Sequence, residues 1–79
     1  MNDNIKHKLG RNIKVERIRK YLSQEQFAEM LDMSVSYVSK LEQGLTSPTA
    51  IVLFKMSKIL DIPMEEFFKN IDVNMNSIS

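Results

Sequence analysis

Residues that interrupt regular structure are scarce in this chain. Only two glycines, Gly10 and Gly44, and two prolines, Pro48 and Pro63, divide its 79 residues into segments. None of these segments alternates apolar and polar residues as a half-buried strand does. The pattern therefore predicts an all-α fold.

Cysteine is absent, which excludes a disulfide framework, a cysteine zinc site and a thiol nucleophile. Hydrophobic residues make up 43% of the chain, enough for one modest core, so we expect a single small domain held together by packing. The longest apolar run, residues 51–54, is far shorter than the roughly 20 residues that span a bilayer. The N-terminus has no charged-then-apolar signal pattern. We expect a cytoplasmic protein with no membrane partner.

Charge is unevenly distributed, although the formal net charge is only +1. Residues 1–20 contain seven Lys and Arg against two acidic residues, whereas residues 21–79 contain four against eight. A basic segment favours a polyanionic partner such as nucleic acid, but a solvated helix face produces the same asymmetry. Charge alone leaves both interpretations open.

Apolar periodicity predicts the first, fourth and fifth helices, at about residues 4–20, 49–60 and 63–70. The apolar positions of the first are Leu9, Ile13 and Val15 or Ile18. The fourth is the most apolar and is predicted to be the central core element, with Ile51, Leu53, Phe54, Met56, Ile59 and Leu60. We expect residues 1–71 to form the domain and the polar residues 72–79 to be a frayed tail.

Capping residues predict two short helices in the middle of the chain. The second helix, residues 24–31, starts at a capping box formed by Ser23 and Gln26. Ser34 offers a capping hydroxyl to the third helix, which ends just before Gly44, a residue that takes the left-handed conformation without a Cβ penalty. Two short helices joined by a tight turn form a helix-turn-helix arrangement.

From residue 9 to residue 68 the chain resembles the Cro and phage-repressor type of helix-turn-helix protein, also called the Xre family. The motifs that carry the resemblance are Ser23-Gln24-Glu25, Phe27-Ala28, Met33-Ser34, residues 38–44, Pro48, and Leu60-Asp61-Ile62 leading to Phe67. The resemblance implies a five-helix lambda-repressor-like domain. It also implies a transcriptional regulator, more often a repressor, that binds double-stranded DNA sequence-specifically as a homodimer.

In such a protein the third helix lies in the major groove. The residues expected to read bases are Val35, Ser36, Ser39 and Lys40. The residues expected to contact phosphates are Gln24, Ser34, Tyr37, Gln43, Thr46 and Arg11. Tyr37 could equally pack its ring against the second helix. The family often pairs the positions of Arg17 and Glu42 in a partly buried salt bridge.

Packing residues are expected beside these contact residues. Ala28 is small enough to let the second and third helices approach closely. The wedge between the two helices is expected to be closed by Phe27, Leu31, Val38 and Leu41. Two departures from the family pattern stand out: Tyr21 replaces a frequent glycine, and residues 45–47 contain no lysine or arginine.

The dimer surface is predicted to lie at the end of the fourth helix and on the fifth, and to include Met64, Phe68, Ile71 and Val73, unless Phe67 and Phe68 both fold inward. A bound dimer can also contact RNA polymerase or an antirepressor. His7 is the only histidine and has no cysteine to share a metal, so we expect neither an enzyme nor a cofactor. Two alternatives stay open: a protein-interaction module of the same fold, such as an antitoxin or adaptor, and a restriction-modification controller that can also activate.

Overall fold

The computed structural model describes residues 2–72, with side chains described for residues 5–72. It contains four α-helices and a 3₁₀ helix: α1 (Asn2–Arg19), α2 (Gln24–Leu31), α3 (Val35–Glu42), α4 (Ala50–Leu60) and the 3₁₀ helix (Met64–Phe68). These residues include no strand, which agrees with the predicted all-α fold. Apart from Asp72, the predicted tail lies outside the described residues. No helix of the described segment is long and apolar enough to cross a membrane.

Polar side chains start three of the helices. Ser23 Oγ accepts a hydrogen bond from the Gln26 N–H at 3.0 Å, and Gln26 Oε1 accepts one from the Ser23 N–H at 2.8 Å. The predicted capping box is therefore confirmed. Ser34 caps α3 and Thr49 caps α4, in each case through a side-chain oxygen that accepts a backbone N–H three residues ahead.

One apolar core holds the elements together. The core side chains are Leu9, Ile13, Phe27, Ala28, Leu31, Val38, Leu41, Val52, Leu53, Met56, Leu60 and Phe67. Phe27 and Phe67 are completely buried, and removing such a side chain from water contributes about 1.5–3 kcal/mol. α3 packs against both α1 and α2, whereas α4 packs against α2 and the 3₁₀ helix. The inner side of α3 is thus packed in the core, which fixes the position of this helix.

The inner face of α1 differs from the predicted one. Leu9 and Ile13 are buried as predicted, but Val15 and Ile18 are 37% and 52% exposed. The prediction that Val15 or Ile18 lies on the inner face is wrong. Their expected places are taken by polar residues that bond to other elements: Asn12, Glu16 and Arg17.

Only one side of α4 belongs to the core. Leu53, Met56 and Leu60 are buried, whereas Ile51 is 70% and Phe54 51% exposed. The helix predicted to be the central core element thus contributes one side to the core, and Ile51 and Phe54 lie outside that side. A helix presents a stripe of its surface to its neighbours, and an apolar side chain outside that stripe stays in contact with water.

The last element is a five-residue 3₁₀ helix, not the α-helix predicted for residues 63–70. Its first backbone bond joins the Glu66 N–H to the Pro63 carbonyl three residues earlier, at 3.0 Å. Its C-terminal end is held by Asn12, whose Nδ2 donates to the carbonyls of Phe67 and Lys69, both at 2.8 Å. These carbonyls bond to α1, so they are not used to extend a helix.

Candidate nucleic-acid interface

A three-residue turn joins α2 to α3. Asp32 ends α2 in the left-handed conformation, with φ 59° and ψ 42°, and its N–H bonds back to α2 carbonyls. The Met33 N–H donates to the Ala28 carbonyl at 2.9 Å, and Ser34 then caps α3. Aspartate tolerates a left-handed backbone better than most residues, which lets so short a turn end α2 and lead into α3.

The contact between α2 and α3 is apolar and close. Ala28 is 1% exposed, and the predicted wedge residues Phe27, Leu31, Val38 and Leu41 all belong to the core. The small Ala28 side chain allows a short distance between the helix axes. The predicted packing of this helix pair is confirmed.

Most of the residues predicted to read bases lie on the outer side of α3. Val35, Ser36 and Lys40 are exposed, and Ser39 is half-buried. Tyr37 is half-buried and packs against the core, as in the alternative considered for it. The exposed side chains supply a methyl group, a hydroxyl and an ammonium, which can contact thymine methyl groups and the acceptors of guanine.

A buried ion pair joins α1 to the end of α3. Arg17 Nε and Nη2 donate to the two carboxylate oxygens of Glu42 at 2.7 and 3.0 Å. Gln24 Nε2 donates to Glu42 Oε1 at 3.0 Å, and Arg17 Nη1 donates to the Leu22 carbonyl at 2.7 Å. Both charged side chains are nearly buried, at 9% and 2% exposure. The Arg17–Glu42 pair and Gln24 together hold α1 and α2 against the last turn of α3.

The remaining residues predicted to contact phosphates lie on α1, at the two ends of α3 and in the loop before α4. Gln43, just after α3, is exposed and donates to Ser39 Oγ at 2.8 Å. Ser34 accepts the Tyr37 N–H at 3.0 Å, and Thr46 is half-buried in the loop before α4. Arg11 is exposed on α1, on a different element from the others.

Two further polar residues of α1 were not predicted. Asn12 is 8% exposed and binds the carbonyls after the 3₁₀ helix, and Glu16 is 4% exposed and pairs with Lys69 at 3.2 Å. Each lies between apolar positions of the helix and has a hydrogen-bond partner more than 50 residues away in sequence. Glu16 also accepts from Arg19 Nη1 at 3.3 Å. Apolar periodicity gives no signal for such residues.

The site is suited to non-covalent binding. Among the described residues, no three His, Cys, Asp or Glu side chains are grouped as metal ligands. The usable chemistry is a short exposed helix with hydrogen-bond donors along its outer side, beside a helix whose N-terminal N–H groups favour an anion. These groups match the edges of base pairs and the adjoining phosphates.

Comparison with known proteins identifies the same segment. The family model described as HTH_3, helix-turn-helix, matches residues 13–67. The control protein C.MunI of Mycoplasma sp is 38% identical over 73 residues, which cover 91% of this chain and 97% of that protein. The HTH-type transcriptional regulator SlrR of Bacillus subtilis (strain 168) is 39% identical over 61 residues, which cover 76% of this chain but only 40% of that protein.

A solved structure extends this similarity to the fold. The crystal structure of the restriction-modification controller protein C.AhdI from Aeromonas hydrophila superposes with a TM-score of 0.74 and 32% identity, over 78% of this chain and 94% of the other. The residues matched by the family model include the whole of α2 and α3. The chain therefore belongs to the HTH_3 helix-turn-helix family and is a DNA-binding transcriptional regulator.

Proposed function

We propose that this regulator acts in the cytoplasm as a homodimer, inserts α3 into the major groove of a twofold operator and represses transcription by occupying a promoter. The observation that carries the proposal is the exposure of Val35, Ser36 and Lys40 on a helix whose opposite side is anchored in the core. A helix whose inner side is packed in the core presents its outer side chains in fixed positions, and sequence-specific contact with base pairs requires fixed positions.

Each exposed residue of α3 has a distinct proposed role. Lys40 donates to guanine O6 or N7, Ser36 donates to or accepts from a base edge, and Val35 contacts a thymine methyl group. Gln24 and Ser34 lie at the N-terminal ends of α2 and α3, where backbone N–H groups reinforce a phosphate contact. The base contacts give specificity and the phosphate contacts give position.

Selection of bound duplexes from a random DNA pool, followed by fluorescence polarisation titrations, tests this function. Lys40→Gln or Ser36→Ala is expected to weaken binding to the selected duplex by about 1–3 kcal/mol, while binding to a scrambled duplex changes much less. Lys20→Gln, which removes an exposed charge just after α1, is the matched control. Wild-type protein that binds both duplexes equally, or binds without salt dependence, contradicts the proposal.

The similarity to C.MunI and C.AhdI favours control of restriction-modification genes over repression of other promoters. We propose that the chain controls restriction-modification genes and that the bound protein can also activate, through a contact with RNA polymerase. Mapping of the selected sites in the source genome tests this setting. Sites upstream of a methyltransferase or endonuclease gene support it, and sites confined to unrelated promoters contradict it.

The antitoxin or adaptor alternative makes the opposite prediction for α3. A module that binds another protein elsewhere tolerates changes at Ser36 and Lys40, because those residues then only contact water. An unchanged affinity for the cellular partner together with no measurable DNA binding favours that alternative. The DNA titrations therefore distinguish the two functions.

The proposed dimer surface centres on the exposed side of α4 and includes less of the last predicted helix than the sequence predicts; Val73, also predicted for this surface, lies outside the described residues. Met64 and Ile71 are half-buried against the core, and Phe68 is 43% exposed. Phe54 is 51% exposed and shares a shallow hollow with Met64. A twofold contact at this face covers Phe54 and leaves α3 of each protomer free for one half-site, with half-sites ~34 Å apart.

A further inference from the structure

A cleft lies between the N-terminal half of α1 and the C-terminal end of α3. Its volume is about 440 Å³, and its lining includes His7, Lys8, Arg11, Lys14 and Glu42. Arg11 is one of the residues predicted to contact a phosphate. The fold brings it together with three further basic side chains next to the helix proposed to read bases.

Two glycines produce this close approach. A Cβ atom on Gly10 of α1 would overlap the Leu41 carbonyl oxygen and lie 2.8 Å from that of Glu42. A Cβ atom on Gly44, which follows α3, would lie 2.6 Å from His7 Nδ1. Because glycine has no side chain at these two positions, the backbone of α1 can contact the end of α3, and the basic residues are carried to that end.

The cleft has a strongly positive lining. His7, Arg11 and Lys14 follow at intervals of four and three residues, which places them on one side of α1. Within residues 5–72, no carboxylate lies within ion-pair distance of Lys8, Arg11 or Lys14. The acidic residue of the lining, Glu42, already accepts hydrogen bonds from Arg17 and Gln24. Its charge is therefore largely compensated, and the three permanent cations determine the sign of the cleft.

We propose that this cleft binds a backbone phosphate of the operator beyond the base pairs that α3 reads. The inference rests on the proposed function, since it places the chain on DNA through α3. An eight-residue helix is about 12 Å long, and Glu42 follows Lys40, the last residue proposed to read a base, so the C-terminal end of α3 lies beyond the base contacts, towards the phosphate ridge of the groove. The cleft cations are held at that end. Because the loop 45–47 has no basic residue, α1 takes over the binding of a phosphate on this side.

The test combines protein variants with probe length. Lys8→Gln/Lys14→Gln is compared with wild type on the selected duplex, with and without base pairs flanking the recognised sequence, over a series of salt concentrations. On the long duplex, the slope of log K against log salt is expected to become shallower by about one for each phosphate that the variant no longer neutralises. On the trimmed duplex, the variant and the wild type are expected to bind alike.

Two controls separate the possible outcomes. Lys20→Gln is expected to leave the slope unchanged, because the exposed Lys20 follows the C-terminal end of α1 and is not part of the cleft lining. A double variant that melts at a lower temperature but keeps the wild-type slope would mean that the cations only offset the negative end of α3, which overturns the proposal. Wild-type protein that shows no preference for the selected duplex refutes the proposed function itself. A preference that persists with equal slopes refutes only the phosphate cleft.

Discussion

At the scale of single residues, the conformational properties of Gly10 and of four left-handed positions matter most. Three of the non-glycine residues with positive φ are Asp32, Asp61 and Asn70, types that tolerate this backbone. The fourth is Tyr21, with φ 58°, at the position where the family often has glycine. Gly10 is different, because it has a helical backbone and is required only for space.

Gly10→Ala is expected to destabilise the protein, although alanine is the better helix former by about 1 kcal/mol. The new methyl group would meet backbone carbonyls of α3, which cannot move aside as a side chain can, and overpacking of this kind costs about 1–3 kcal/mol. Urea unfolding measures the change in free energy.

Val15→Ala on the exposed side of α1 is the control and is expected to change stability by no more than about 0.5 kcal/mol. Stabilisation by Gly10→Ala would show that α1 does not contact the end of α3 so closely. The position of the basic cleft would then also have to be revised.

At the scale of elements, the orientation of α3 depends on one buried ion pair as well as on apolar packing. Arg17 and Glu42 form a bidentate pair between α1 and α3, and Gln24 adds a bond from α2. Such a pair contributes little net stability, because the cost of removing both charges from water offsets most of the attraction between them. Removing one partner is more damaging, since the other charge is left buried without compensation.

Glu42→Ala is expected to lower the free energy of unfolding by about 3–5 kcal/mol, because Arg17 is then buried without a counter-charge. The double variant Arg17→Met/Glu42→Leu is expected to recover most of that loss, since apolar side chains of similar size carry no desolvation cost. Denaturant titrations of the three proteins give both values. A loss below about 1 kcal/mol for Glu42→Ala would indicate an exposed pair of little energetic weight.

At the scale of the whole molecule, the exposed side of α4 is an apolar surface that lies outside the core. Ile51 and Phe54 lie there, with Phe54 beside Lys58, whose ammonium is 5.1 Å from the ring centroid. Met30 of α2 contributes to a second hollow next to Phe54. A second copy that covers this side would bury apolar surface on both protomers.

Phe54→Ser is expected to shift the proposed dimer to monomer with little loss of helical structure, because the ring is half-exposed in the protomer. Sedimentation equilibrium measures the shift. Ile18→Ser is a matched control, since Ile18 is exposed to nearly the same extent, 52%, on α1. A wild-type protein that stays monomeric at high concentration contradicts the homodimer proposal, and an unchanged dimer in Phe54→Ser contradicts this surface.

Features governed by neighbouring residues were predictable. The capping box at Ser23, the cap at Ser34 and the left-handed Gly44 depend on contacts within a few positions, and the sequence was sufficient to locate them. The wedge between α2 and α3 was also predictable, because apolar residues on two adjacent short helices have no other surface to bury. The exposed outer side of α3 follows from the same pattern.

Features governed by distant residues were not predictable in this way. Apolar periodicity favoured Val15 or Ile18 as the inner residue of α1, but Asn12 and Glu16 are buried there because they find partners elsewhere in the fold. The pair of Arg17 with Glu42 was implied by the family resemblance and not by periodicity. The same partners determine where the last helix ends and how α1 meets the end of α3.

The sequence by itself therefore determined the helix-turn-helix and its family, since capping, turn and packing signals act over a few residues. Only the tertiary structure decided which side of α1 and α4 faces water and which basic residues gather beside α3. A buried polar residue is stable only when specific partners satisfy it, and Asn12 and Glu16 each have a partner more than 50 residues away.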